Sequence, residues 1–134
     1  MSQENTEDLI RASFESLNLE KGGSHFDEWW HDDGEFVNAR EDPDHETHHG
    51  VGAIRAQAQD WFDAFPDLRL EPTEIRANGD RAFVWTHLSG HGADSGIAMD
   101  MELAQVITLE GGKIRRIEEY SERAEALEAV GLSE

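Results

Sequence analysis

The feature that most constrains this chain is a change of hydrophobic period at Pro66. Before it, apolar residues recur at helical spacing. Leu9, Ile10, Phe14 and Leu17 share one face, and Val51, Ile54, Ala58, Trp61, Phe62 and Phe65 form a second stripe. Beyond Pro66 the period is two as far as Tyr120. Helices first and an alternating meander afterwards predict an α+β fold: a strongly curved antiparallel sheet with helices packed on its concave face, forming a cone-shaped pocket.

Boundary signals divide the chain further. Asn5 or Thr6 is expected to cap the first helix, with Glu7 and Asp8 in its first turn where the helix dipole favours them. Gly22-Gly23 ends it, and Ser24 restarts a short helix carrying Phe26, Trp29 and Trp30. A brief strand runs through Phe36 and Val37, and 40–49 reads as a polar loop. Strands are expected near Leu68–Ala77, Arg81–Ser89, Ile97–Leu109 and Lys113–Tyr120, separated by Asn78-Gly79-Asp80, Gly90 to Gly96 and Gly111-Gly112. Pro72 marks the first of them as an edge strand or the site of a bulge. A last short helix covers Glu122 to Val130. Nothing divides the 134 residues, so 1–134 is expected to be a single domain.

Composition removes several functions. Without cysteine there is no disulfide, thiolate metal site or cysteine nucleophile. Thirty acidic residues face eleven basic ones, a net charge of −19 that repels nucleic acid and anionic membranes. The only lysines are Lys21 and Lys113. Molar salt shortens the Debye length to ~3 Å and removes most of the self-repulsion, so this balance suits a halophilic setting; a merely acidic surface is the plainer alternative. No apolar run is long enough to span a bilayer and no signal peptide is legible, so a cytoplasmic protein is expected.

Two stretches carry a family resemblance. His49-Gly50-Val51-Gly52-Ala53-Ile54, followed by Trp61-Phe62-Asp63-Ala64-Phe65-Pro66-Asp67, resembles the central helix of SnoaL-like proteins of the nuclear transport factor 2-like superfamily. Gly112-Lys113-Ile114, Ile117-Glu118-Glu119-Tyr120 and Arg123-Ala124-Glu125-Ala126-Leu127 resemble the end of the same family, and Ser95-Gly96 the opening of its long strand. The resemblance implies a pocket for a small hydrophobic molecule, in many relatives a homodimer, and in some a cofactor-independent cyclase, isomerase, dehydratase or epoxide hydrolase. Others in the family catalyse nothing, and fold does not fix function.

The candidate chemistry follows from alternation and from that resemblance. Phe83, Trp85, His87 and Ser89 share one face of a strand, an aromatic wall with polar groups deeper along, and are expected to line the pocket. By likeness to limonene epoxide hydrolase, its arginine and first aspartate fall near His87 and Ser89 and its second aspartate near Glu119. His87 and Glu119 are therefore the expected catalytic acid/base pair, against the plainer alternative of a strand histidine and a solvated strand-end carboxylate. The general-base aspartate of SnoaL-type cyclases falls at Gln105, which cannot take a proton, so Gln105 is expected to donate a hydrogen bond instead. Trp29, Phe36, His49, Trp61, Trp85, Ser89 and Tyr120 complete the expected substrate-binding set. Asp100 and Glu102 are placed on the outer surface, and the Ala82, Val84, Thr86 and Leu88 face is the expected dimer surface. His45, His48 and His49 with Asp42, Asp44 and Glu46 lack the fixed spacing of a metal site, so no metal is expected.

Overall fold

A computed structural model describes residues 3–43 and 45–133, with the side chains of Gln3 and Glu4 outside the description. The chain runs α1 (Gln3–Glu20), α2 (Phe26–Trp29), β1 (Trp30–Val37), β2 (Thr47–His49), α3 (Val51–Ala64), β3 (Arg69–Asn78), β4 (Arg81–His91), β5 (Ala98–Glu110), β6 (Lys113–Tyr120) and α4 (Arg123–Ala129). Among the described residues no helix is long and apolar enough to cross a membrane.

The six strands form one open, curved sheet in the order β2-β1-β6-β5-β4-β3. It is mixed, not wholly antiparallel: β1 pairs with β6 in parallel. After β2, the crossover through α3 carries the chain to the far edge, so the β3–β6 meander returns to β1 running in the same direction. Register shifts between Pro72 and Glu74 and between Thr108 and Leu109 introduce irregularities of the kind that bend strands. Pro72 lies on the edge strand, where its missing N–H breaks no ladder. On that strand Leu70 exchanges two hydrogen bonds of 2.8 Å with the Asn18 amide of α1, in place of a neighbouring strand.

Helices cover both faces of the sheet, although one covered face was expected. α1 and α3 lay Ile10, Phe14, Ile54, Ala58 and Phe62 on the inner face against Val84, Ile107 and Ile117. α4 lays Ala126, Leu127 and Val130 on the outer face against Phe83, Ala104 and Val106. Arg123, at the start of α4, stands 4.9 Å over the Phe83 ring and 5.5 Å from the Trp85 ring, and is held there by Glu74 at 2.8 and 3.0 Å.

This second layer reverses the expected orientation of β4. Phe83 and Trp85 are buried or half-buried by α4 on the outer face, while Ala82, Val84, Thr86 and Leu88 point inward. The latter set is smaller and fits beneath the helices of the inner face; it supplies core, so it cannot be a dimer surface. Thr6 is likewise no helix cap. It lies inside α1, fully buried, with its hydroxyl directed at the Gly79 carbonyl at 3.4 Å.

Candidate functional site

One row across the inner face of the sheet turns from apolar to polar at its β5–β6 end. Strand register places Ile75, Val84, Gln105 and Glu119 side by side across β3, β4, β5 and β6. Asn38, one residue past the end of β1, adds the next polar group, and its backbone N–H is anchored on the Glu46 carbonyl at 3.1 Å.

Asn38 is the hub of this row and is buried. Its amide nitrogen donates to Gln57 Oε1 at 3.0 Å and to Glu119 Oε1 at 3.3 Å. Its carbonyl oxygen accepts from His48 Nε2 at 3.2 Å, which fixes the proton of that imidazole on Nε2. Gln105 accepts from the buried Thr86 hydroxyl at 3.4 Å, and that orientation turns its amide nitrogen toward Glu119. The Ala39 backbone N–H also donates to Glu119. Gln57 Nε2 is buried and has no partner among the described residues.

Two opposing effects act on the Glu119 carboxyl. Burial disfavours its charge, whereas the Asn38, Ala39 and Gln105 donors favour it, and the Asp42 carboxylate adds repulsion. Burial prevails, and the pKa is pushed up to about 7. Near neutral pH this side chain therefore populates both its acid and its base form.

Glu119 lines a groove of about 520 Å³ whose walls include Trp61, Phe65, Leu70, Leu88, Met101 and Leu103. Adjoining the groove, a smaller apolar cavity of about 60 Å³ is lined by Phe14, Trp29, Phe36, Ile54 and Ile107, among others. Trp61, Leu70 and Gln105 line both spaces and so form the partition between them. Trp61 is steadied there edge-to-face against Phe36, with ring centroids 5.6 Å apart.

The residues expected from sequence thus divide between two faces. Glu119, Gln105, Trp61, Phe36 and Trp29 line the groove or the cavity. His87, Trp85, Ser89 and Tyr120 do not, because each lies on the outer face. His87 is not brought to Glu119; its Nε2 lies 2.9 Å from Asp100 Oδ1, and that hydrogen bond raises the imidazole pKa at the surface. Tyr120 donates its hydroxyl to Glu118 at 2.8 Å, and burial with that bond pushes its pKa to about 12. His49 is exposed, 3.3 Å from Glu35. Asp100 and Glu102 stand exposed on the outer surface.

Of the histidine-rich loop, His48 reaches the site through Asn38 and Asp42 lines the groove; Asp44 lies outside the described residues. Among the described residues no group of three His, Asp or Glu side chains is arranged to hold a metal ion. Sequence reasoning missed Asn38, Gln57 and Thr86. A signal existed for two of them. Gln57 interrupts an apolar stripe between Ile54 and Trp61, and Asn38 lies two residues beyond Phe36 on the same strand parity.

Residues 10–117 match the family model of the SnoaL-like domain, which is most of the chain. The chain belongs to the SnoaL-like family. Solved structures with this fold agree. A protein from Jannaschia sp. CCS1 described as a SnoaL-like polyketide cyclase superposes with a TM-score of 0.71 at 15% identity, covering 87% of this chain and 85% of that one. An NTF2-like protein from Burkholderia pseudomallei K96243 gives 0.73 at 20% identity, covering 98% and 99%. TerC, co-crystallised with polyporic acid, gives 0.73 at 19% identity, covering 94% and 98%. At these identities the likeness establishes the fold of the SnoaL-like domain and not its chemistry. Among proteins of curated function none matches the sequence.

Proposed function

We propose that this SnoaL-like domain binds a small, largely apolar molecule in its groove and uses Glu119, without a cofactor, to move a proton on it. One observation carries the reading: a carboxyl with a pKa of about 7 faces an apolar groove of about 520 Å³ and is oriented by two amide donors. A group that titrates near the working pH serves as both general acid and general base. The volume lies within the range of small-molecule sites.

The resemblance to SnoaL-type cyclases gives the base position to Gln105, and strand register places Glu119 directly opposite it. The proton-transfer group has accordingly moved one strand across, from β5 to β6, while Gln105 keeps a hydrogen-bonding role. TerC, which shares the fold, was co-crystallised with polyporic acid, in line with a small-molecule role for such a groove. A homodimer remains part of the proposal only through the outer face or the sheet edges, since the inner face of β4 is core.

Proton exchange at carbon provides the test. A panel of cyclic ketones in deuterated buffer, with epoxides scored for hydrolysis, is compared between the native protein and Glu119→Gln. Loss of a general base lowers the rate by about 10²–10⁴-fold. Undiminished exchange in the variant removes Glu119 from the mechanism. Binding without turnover in either protein leaves the second reading, a ligand-sequestering module, which the neutral Gln105 at the cyclase base position favours.

A further inference from the structure

The groove contains acid and no base. Glu119 stands inside it and Glu41 and Asp42 at its exposed rim, and no Lys, Arg or His lines it among the described residues. The groups around Glu119 come from several elements. Asn38 and Asp42 come from the segment after β1, Gln105 from β5, and β2 contributes His48 only through the Asn38 amide. On β6 itself Glu118 and Tyr120 bond each other and, by strand alternation, belong to the opposite face. Among the described residues the ionised carboxylate therefore has neutral amide donors and the Asp42 charge around it, but no counter-cation.

A buried charge without a partner is unfavourable, and a ligand changes that balance through its own charge. An anion in the groove adds repulsion at low dielectric, and a neutral molecule leaves the carboxyl to protonate. A cation supplies the missing partner. The wall supports the same sign: the half-buried rings of Trp61 and Phe65 and the thioethers of Met99 and Met101 are polarisable surfaces suited to a weakly hydrated cation. The net charge of −19 steers positive ligands toward the molecule.

We propose that the groove takes a lipophilic organic cation, an amine carried as ammonium or a quaternary ammonium with an apolar body, with its charge against Glu119 and its body on the Leu70, Leu88 and Leu103 wall. This rests on the reading of the groove as a small-molecule site, and it selects the ligand class for that site.

The test uses benzyltrimethylammonium, whose charge does not titrate, and its uncharged carbon isostere neopentylbenzene. Binding is followed by tryptophan fluorescence and calorimetry at one fixed ionic strength. The native protein is expected to bind the cation about tenfold or more tightly at about pH 8.5 than at about pH 5.5, because only the ionised carboxylate pairs with it. It is also expected to prefer the cation over the isostere at the higher pH. Glu119→Gln keeps all but one of the chain's negative charges, so diffuse attraction and the weak pH dependence of the chain's histidines survive in it, while most of the tenfold pH dependence and of the preference is lost. Cation binding that is unchanged in the variant would mean diffuse attraction and overturns the inference. Equal or tighter binding of the isostere also overturns it but leaves the pocket standing. Failure of both ligands to bind overturns this inference and the small-molecule reading together.

Discussion

Replacing Glu119 by glutamine tests the electrostatics of the site without any knowledge of its ligand. In the folded protein the carboxyl keeps its proton up to about pH 7, whereas the unfolded chain releases it near the ordinary 4.5. Between those values the folded state binds more protons, so this group's contribution to stability falls as pH rises through the window and is level above it. The full difference corresponds to a burden of about 3 kcal/mol on the fold when the group is ionised. Glutamine carries no such burden, but its NH₂ turns one of the two amide donors, Asn38 or Gln105, away from an acceptor. That loss is about 1 kcal/mol and does not vary with pH.

The two effects separate when stability is measured at two pH values. At about pH 8.5 the variant should be more stable than the native protein by about 2 kcal/mol, and at about pH 5.5 the two should be nearly equal. Urea denaturation followed by tryptophan fluorescence at constant ionic strength reads both values. The other acidic residues titrate in both proteins, so their contribution cancels in the difference. The result that refutes the reasoning is a Glu119→Gln effect of the same size at both pH values, since that would mean an ordinary carboxyl pKa and a solvated side chain.

Three further outcomes are expected. Asn38→Leu removes the hub between His48, Gln57 and Glu119 and should cost about 2 kcal/mol while raising the Glu119 pKa, read as an alkaline shift in the pH profile of stability or ligand binding; an unshifted profile would detach Asn38 from Glu119. Phe83→Ala empties a fully buried site under α4 and breaks the stack with Arg123, so it should lose about 3–5 kcal/mol in denaturation while the groove keeps its ligand affinity; a small loss would mean that α4 does not seal the outer face. The melting temperature should climb as salt is raised from about 0.1 M to about 1 M, where the Debye length shortens from about 10 Å to about 3 Å, and a flat or falling curve would remove the halophilic reading.

The elements of the fold were legible because local chemistry and tertiary structure agree. The Val51–Phe65 stripe became α3, closed by Pro66, and the Asn78-Gly79-Asp80 and Gly111-Gly112 turns delimit β3, β4, β5 and β6 within a residue or two. β2 was not legible, since Thr47–His49 is three polar residues whose pairing with β1 is set by the partner strand and not by any pattern of its own. The parallel β1–β6 pair was hidden for a similar reason: periodicity describes a strand and is silent about its neighbour's direction.

The orientation of β4 shows where alternation stops being informative. It sorts Phe83, Trp85, His87 and Ser89 from Ala82, Val84, Thr86 and Leu88, but either set can face the pocket, because both contain apolar side chains. What decides is α4. Its Ala126, Leu127 and Val130 stripe needs an apolar surface, and with α1 and α3 already on the inner face the surface left is the outer one, where Phe83 and Val106 lie. Once that face is assigned, strand pairing fixes the rest: Val84 opposes Gln105, Gln105 opposes Glu119, and all three point inward while His87 points outward beside Asp100. A seven-residue helix at the end of the chain thus determines which titratable side chain meets the ligand. It separates the histidine, half-exposed and paired with an exposed aspartate, from the carboxyl, half-buried among amide donors with no counter-charge among the described residues. His87→Ala should accordingly leave groove binding and any turnover unchanged across pH, and a loss of either would place β4 the other way round.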